Sequence, residues 1–454
     1  MPADATLFRL GLWLRAHRRF IQAGQWGIVL VYAVLLIVPA MLPLPAAESQ
    51  LFSSMAGIAQ FVFWGVWWPG VIVSVLLLGR SWCGLFCPEG MLTEWASGHG
   101  RGRRIPAWLK WPGWPLVGFV ATTVYGQLIS VYQYPQPALL ILGGSTLAAM
   151  LVGYLYGRNK RVWCRYLCPV SGVFGLLARL APLHYAVDRQ AWESRTTRKT
   201  IPINCAPLID IRRMEGASLC HQCGRCAGQR DAVQLACRPF NREISRLRPD
   251  QAQPWEVLLL LYGMIGVAIG AFQWSASSTF VMAKQAVAGW LIEHEAGLFL
   301  LDDDVPWWLL THYPSLNDSF CWLDGAMIVG YIALVGSLLG SWLWFWLGVS
   351  ARALQPDWRS RRLQLAYCLT PLAGTGLILG LSATSLSLLR GMGLMLPWKG
   401  VAQLALLGLG LLWSLRLFWL QAAGAGQVRR GYAMLLVMPA WVAIVLCWWQ
   451  FLQS

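Results

Sequence analysis

Nine of the twelve cysteines lie between residues 83 and 237, spaced as redox or metal ligands would be. Two near-identical segments, Arg80-Ser81-Trp82-Cys83-Gly84-Leu85-Phe86-Cys87-Pro88 and Arg161-Val162-Trp163-Cys164-Arg165-Tyr166-Leu167-Cys168-Pro169, each follow a long apolar run. A third group, Cys220-x2-Cys223-x2-Cys226, stands in a polar, basic stretch. Three thiolates from one tight loop, with Gly224 to turn it, are what a tetranuclear iron–sulfur cluster needs. The competing reading of the triplet is structural zinc, which usually draws on two separated Cys-x2-Cys knuckles.

The fourth ligand has two candidates. In the bacterial ferredoxin run Cys-x2-Cys-x2-Cys-x3-Cys-Pro, three cysteines hold one cluster and the fourth serves its partner. Here ten residues separate Cys226 from Cys237, and upstream stands Cys205-Ala206-Pro207-Leu208-Ile209-Asp210-Ile211-Arg212. That stretch reads as the tail of a ferredoxin motif whose own triplet is missing. By cross-ligation Cys205 completes the site of Cys220, Cys223 and Cys226, and Cys237 is the alternative. In the repeated segments, a four-residue spacing puts both thiols on one face of a helical turn. If the copies meet, Cys83, Cys87, Cys164 and Cys168 offer four sulfurs to a second cluster or a metal, or act as a reversible dithiol. The bland alternative is that Trp-Cys and Cys-Pro only shape the exit from a membrane. Cys321, Cys368 and Cys447 stand alone in or beside apolar runs and read as small buried hydrophobes.

The elements that carry these residues are membrane helices. Of 454 residues 57% are hydrophobic and 12% charged, and 28 are Trp. A soluble chain could not hide that apolar surface, and Trp enrichment suits membrane interfaces. Nine runs approach the roughly 20 residues that cross about 30 Å of hydrocarbon: 26–44, 57–79, 113–131, 138–157, 256–273, 323–348, 364–386, 399–421 and 431–451. The expected fold is therefore an all-α polytopic membrane protein with a small cytoplasmic ferredoxin-like insertion. Three blocks follow. Residues 1–169 carry four helices and both Cys-x3-Cys-Pro motifs, 170–255 form the iron–sulfur insertion, and 256–454 form a five-helix domain with an external loop at 274–322. Residues 6–21 read as an amphipathic helix on the membrane surface, since Arg9 interrupts any signal-peptide core.

The net charge of +16 is a topology signal, with no nucleic-acid partner implied. Basic residues crowd the loops at 80–112, 158–255, 349–363 and 422–430, whereas 274–322 holds Lys284 against six acids. The positive-inside rule then sets the N-terminus and every clustered cysteine on the cytoplasmic side. Thiols in that reducing compartment mean metal or redox work. The six histidines fall outside the membrane runs, which argues against an integral b-type haem. No Walker motif or dinucleotide fingerprint is present. His294-Glu295, Asp302–Asp304 and His312 form either a hard-cation or iron site or simply a solvated acidic loop.

At its cysteines the chain resembles the bacterial membrane-bound polyferredoxins with two Cys-x3-Cys-Pro motifs. Among these are the quinol-linked ferredoxin of periplasmic nitrate reductase, the nitrous-oxide reductase regulatory flavoprotein and the cytochrome oxidase copper-assembly ferredoxin. The tail at Cys205 with the triplet is most similar to the copper-assembly branch, over roughly residues 57–240. Length and layout are also similar to the ferredoxin component of a cupredoxin-containing ferrous-iron uptake system. The resemblance implies 4Fe-4S clusters and an oxidoreductase-type electron carrier. It would work between quinol or a cytoplasmic donor and a partner redox protein, with a periplasmic cupredoxin or a permease among the partners. The chain departs from the pattern in having one complete triplet and an unmatched five-helix block. A second class of function is a metal transporter or assembly factor with the cluster as sensor, against which the rarity of intramembrane charge argues.

Overall fold

Backbone amides in hydrocarbon must pair within their own segment, so long apolar runs fold as helices. The computed structural model describes residues 5–44, 54–194, 203–354, 357–391, 393–394 and 396–453. The first half runs α1 (Ala5–Ala16), α2 (Arg18–Met41), α3 (Met55–Leu78), α4 (Ser81–Leu85), α5 (Pro88–Gly98), α6 (Trp114–Leu128), α7 (Pro135–Tyr156), α8 (Val162–Tyr166) and α9 (Ser171–Ala178). An antiparallel hairpin follows, β1 (Leu183–Val187) pairing β2 (Val233–Cys237) in the register Leu183 to Cys237. The second half is α10 (Pro254–Ala276), α11 (Ser278–Glu293), α12 (Trp322–Leu354), α13 (Trp358–Gly391), α14 (Lys399–Gly424) and α15 (Gln427–Gln453). Among the described residues eight of these are long and apolar enough to cross a membrane: α2, α3, α7, α10 and α12 to α15. The protein is a helical polytopic membrane protein.

The expected run at 113–131 is the exception in length. It forms α6, whose 15 residues span about 22 Å at 1.5 Å each. The chain stops being helical because Ser130 takes a left-handed φ of 51° and the Val131 amide closes back on the Gly126 carbonyl. The two Cys-x3-Cys-Pro motifs contact each other across this segment, as described below.

The chain divides into two compact units. The first comprises Met1–Leu35, Gly70–Gly118 and Gly143–Leu247, and so gathers every clustered cysteine. In it, α1 packs one side against β2 and the triplet loop. Its Gly11 is buried against Leu235 of β2, Arg15 donates to the Ala227 carbonyl at 2.7 Å, and Leu14 packs on Gly224. The hairpin and the triplet loop thus cover one side of α1, while Leu10, Leu12 and Trp13 stay exposed, as a helix lying at an interface would leave them.

The second unit comprises Leu36–Pro69, Phe119–Leu142 and Arg248–Ser454. In it α10 and α12 cross through two facing small-residue pairs, Gly266-x3-Gly270 and Gly336-x3-Gly340. A Cβ on Gly266 would stand 2.7 Å from the Gly336 carbonyl oxygen, and one on Gly270 3.1 Å from the Ile332 Cα. Backbones that close gain dispersion contacts where lipid offers no hydrophobic drive. Gly266→Leu should therefore cost about 1–3 kcal/mol by overpacking and lower the unfolding temperature in detergent. Gly330→Leu, with nothing within 4 Å of its Cβ position, should leave that temperature unchanged.

Candidate metal centres

The repeated segments fold alike. In each, an arginine starts a five-residue helix (Arg80 before α4, Arg161 before α8) and the first cysteine sits inside it, at 83 and 164. The second cysteine ends the turn ahead of a proline, at 87 and 168; α9 begins two residues beyond Pro169, at Ser171, and α5 begins at Pro88 itself. Proline suits that position because the first amides of a helix need no intrahelical acceptor. Cys87 uses its sulfur as the cap, accepting the Gly90 N–H at 3.3 Å.

Each arginine reaches into the other copy. Arg161 donates through Nη1 to the Cys83 carbonyl. Arg80 donates at 2.9 Å to the Ser171 hydroxyl, which itself donates at 2.8 Å to the Cys164 carbonyl. The two contacts are equivalent, because Gly90 and Ser171 occupy matching positions. Gly90 leaves room for a direct guanidinium contact, a Cβ there falling 3.2 Å from the Arg161 Nη1, and Ser171 bridges instead. The copies thus bring Cys83, Cys87, Cys164 and Cys168 together. Burial first, and then the neighbouring thiols, push Cys87 up to about 12 and Cys164 well above an ordinary thiol; burial and then Glu89, ahead of the thiols, do the same for Cys168. Four buried sulfurs that repel one another as thiolates are a donor set for a cationic centre, which removes that penalty on binding. Glu89 lies among them with its Oε2 4.0 Å from the Cys168 sulfur. Burial raises its carboxyl pKa against the bond it accepts from Ser145.

The triplet forms a second site in the same unit. Cys220, Cys223 and Cys226 line a small cavity together with Cys205, among Ile203, Pro207, Ile209, Ile211 and Met214. The loop turns through left-handed residues, Gln222 at φ 51° and Gly224 at 77°, and the Cys220 sulfur accepts the Gln222 N–H at 3.4 Å. Cys205 is held in place by the second repeat. Lys160 donates to its carbonyl at 3.0 Å, and the Arg161 amide donates to that of Ala206 at 2.8 Å. Cys237 does not line the cavity; it ends β2, exposed, with its thiol 3.8 Å from the Arg238 carbonyl. Four thiols on an apolar wall fit a tetranuclear cluster. Among the described residues no three His, Cys, Asp or Glu side chains converge as ligands of a single ion would. That holds for the outer acids too, where His294 instead stacks on Trp290.

The two sites are joined by groups that carry no sulfur. Arg80, 3% exposed, also donates to the Ser218 carbonyl at 2.8 Å. Glu94 accepts from Arg161 at 2.9 Å and from Arg225, beside Cys226, with Arg18 at 3.7 Å. Burial would raise the Glu94 pKa, but Arg161 and Arg225 outweigh it and hold the carboxyl below its ordinary range. His221, 2% exposed, is kept neutral by burial and by Arg80, Arg161, Arg165 and Arg225. Gly84, beside Cys83, lies against the triplet loop so closely that a Cβ would overlap the His221 carbonyl oxygen. Sequence reasoning missed Arg80, Gly84, Glu94 and Arg161 as site residues. The one signal was the arginine three positions before the first cysteine in both copies.

Comparison with known proteins agrees on the class. The 4Fe-4S binding domain family matches residues 60–106 and 139–184, which enclose both Cys-x3-Cys-Pro motifs. The chain is 24% identical over 231 residues to the "Putative electron transport protein YccM" of Escherichia coli (strain K12), covering 44% of this chain and 62% of that protein. It is 26% identical over 143 residues to the "Methylamine utilization ferredoxin-type protein MauN" of Paracoccus denitrificans (strain Pd 1222), covering 27% and 50%. The chain thus spans between half and two thirds of the relatives it matches. No solved structure matches. Two stretches of the chain, one around each Cys-x3-Cys-Pro motif, are thus similar to 4Fe-4S binding domains.

The Gly84 contact is testable. Gly84→Ala should push the triplet loop off the first repeat and lower the iron retained after anaerobic purification, because a main-chain carbonyl cannot swing aside as a side-chain tip does. Gly144→Ala, whose Cβ would meet nothing within 4 Å, should retain wild-type iron.

Proposed function

We propose that this protein is an iron–sulfur electron carrier of the bacterial inner membrane, with its N-terminus and both thiol sites on the cytoplasmic side. In this reading one cluster sits on Cys205, Cys220, Cys223 and Cys226, and a second on Cys83, Cys87, Cys164 and Cys168. When bound, such clusters supply one-electron exchange at a potential set by burial, sulfur hydrogen bonds and nearby charge. The Gly90 and Gln222 amides donate to sulfur, and Arg80, Arg161 and Arg225 place positive charge beside both thiol sets. Cys83, Cys164, Cys168 and Cys220 are buried, and the other four thiols are partly so. The electrons would pass between quinol or a cytoplasmic donor and a partner redox protein or metal-handling system.

A single observation carries the reading: two four-cysteine sites lie in one compact unit and share the Glu94 ion-pair network. A sensor needs one site, whereas a carrier gains from two close together. The printed names of the two relatives, one for electron transport and one ferredoxin-type, support the same class.

Single Cys→Ser variants purified without oxygen test it. Cys223→Ser should lose the triplet cluster's electron paramagnetic resonance signal while the chain stays in the membrane. Cys205→Ser should lose more iron than Cys237→Ser, because Cys205 lines the cavity and Cys237 does not. If Cys237→Ser loses the cluster and Cys205→Ser keeps it, the assignment is wrong. Wild-type protein holding zinc without iron or sulfide would remove the electron-carrier reading altogether.

A further inference from the structure

A cluster of arginines in the second unit has no acid to balance it. Arg352, in the last turn of α12, stacks on Trp358 with its guanidinium carbon 4.3 Å from the ring centroid. Arg362 lies 5.1 Å from the same indole and 3.6 Å from that of Trp344, and Arg359 is 5.7 Å from Trp358. The Arg362 stem crosses α12 at Gly348, its Cδ 3.3 Å from where a Cβ would stand. Three cations therefore surround one ring. Among the described residues no carboxylate pairs with any of them, Asp357 beside Trp358 included. The buried Nε of Arg362 has no hydrogen-bond partner.

Cation–π contacts hold such side chains in place but neutralise no charge. Arg352 and Arg359 stand exposed, so their charges are open to an anionic partner. The surface leading to them identifies which kind. Leu334, Leu338, Trp342 and Phe345 are all exposed on α12, at spacings of four, four and three residues. Continued at the same helical period, that stripe arrives at Arg352. A continuous apolar track ending in a cationic cluster matches an acyl chain below a phosphate.

We propose that Arg352, Arg359 and Arg362 bind the headgroup phosphate of an anionic phospholipid, with an acyl chain along Leu334, Leu338, Trp342 and Phe345. The guanidiniums donate in forked geometry to the phosphate oxygens, and Trp358 holds them at headgroup depth. The site is independent of the cysteine centres, so it stands or falls separately from the electron-transfer reading.

The test uses the full-length protein in a neutral detergent. Unfolding temperature is followed on titration with phosphatidylglycerol, phosphatidylcholine or inorganic phosphate, and bound lipid is counted by native mass spectrometry. Phosphatidylglycerol should stabilise the wild type and remain bound, with little effect from phosphatidylcholine or phosphate. Each cationic side chain near an anionic lipid contributes about fivefold, so Arg352→Gln, Arg359→Gln and Arg362→Gln combined should weaken phosphatidylglycerol binding roughly a hundredfold. The three Arg→Lys changes, which keep the charge, should weaken it far less. Equal stabilisation by phosphatidylcholine or by inorganic phosphate would overturn the proposal, as would unchanged affinity in the Gln variant. Should the Gln variant fail to fold, the wild-type lipid preference alone decides.

Discussion

The iron–sulfur unit depends on two buried guanidiniums that cross between repeats. Arg161 is 1% exposed and spans Cys83 of one copy and Glu94 of the next helix. Arg80 does the same for the other copy through Ser171, and continues to the triplet loop at Ser218. Arg161 is paired with Glu94, and removing one partner of such a buried pair costs about 3–5 kcal/mol, whereas Arg80 is held by hydrogen bonds to Ser171 and the Ser218 carbonyl. These side chains therefore fix how the copies meet, and the converging thiols are the consequence. The same requirement explains Glu94, which sits 8% exposed among Arg161, Arg225 and Arg18 and takes its negative charge from theirs.

The arrangement joins sulfur ligation to membrane topology. Each Cys-x3-Cys-Pro motif follows a membrane-length helix, α3 or α7, so the thiols gather where the chain leaves hydrocarbon. The triplet, 52 residues beyond Cys168, is brought back by contacts to both repeats. Gly84 meets its loop, and the 158–161 segment holds Cys205 through Lys160 and the Arg161 amide. Positive charge in these loops thus carries the charge asymmetry from which orientation is expected, and it lies beside the thiols.

Much of this was legible in the sequence, for physical reasons. Ligand spacing is local, so Cys220-x2-Cys223-x2-Cys226 and both Cys-x3-Cys-Pro copies declared themselves. Cys205 was distinguishable from Cys237 only through motif logic, and the cavity lining favours the same residue. Apolar runs gave the long helices. Where the run at 113–131 ended was set by the left-handed turn at Ser130, which hydropathy does not register. The docking of α1 on β2 was illegible as well, because an arginine-bearing amphipathic helix has the same pattern whether it covers lipid or protein. Arg80, Gly84, Glu94 and Arg161 were hidden because their roles come from contacts across 67 to 138 residues of chain, as in Arg161 with Glu94 and Arg80 with Ser218.

The central claim is that this unit holds two tetranuclear clusters. Iron and acid-labile sulfide counted on wild-type protein, purified without oxygen and checked by Mössbauer spectroscopy, tests it most directly. The expected result is about eight iron and eight sulfide per chain, all in cubane environments. About four of each, with Cys83, Cys87, Cys164 and Cys168 open to alkylation, would contradict it.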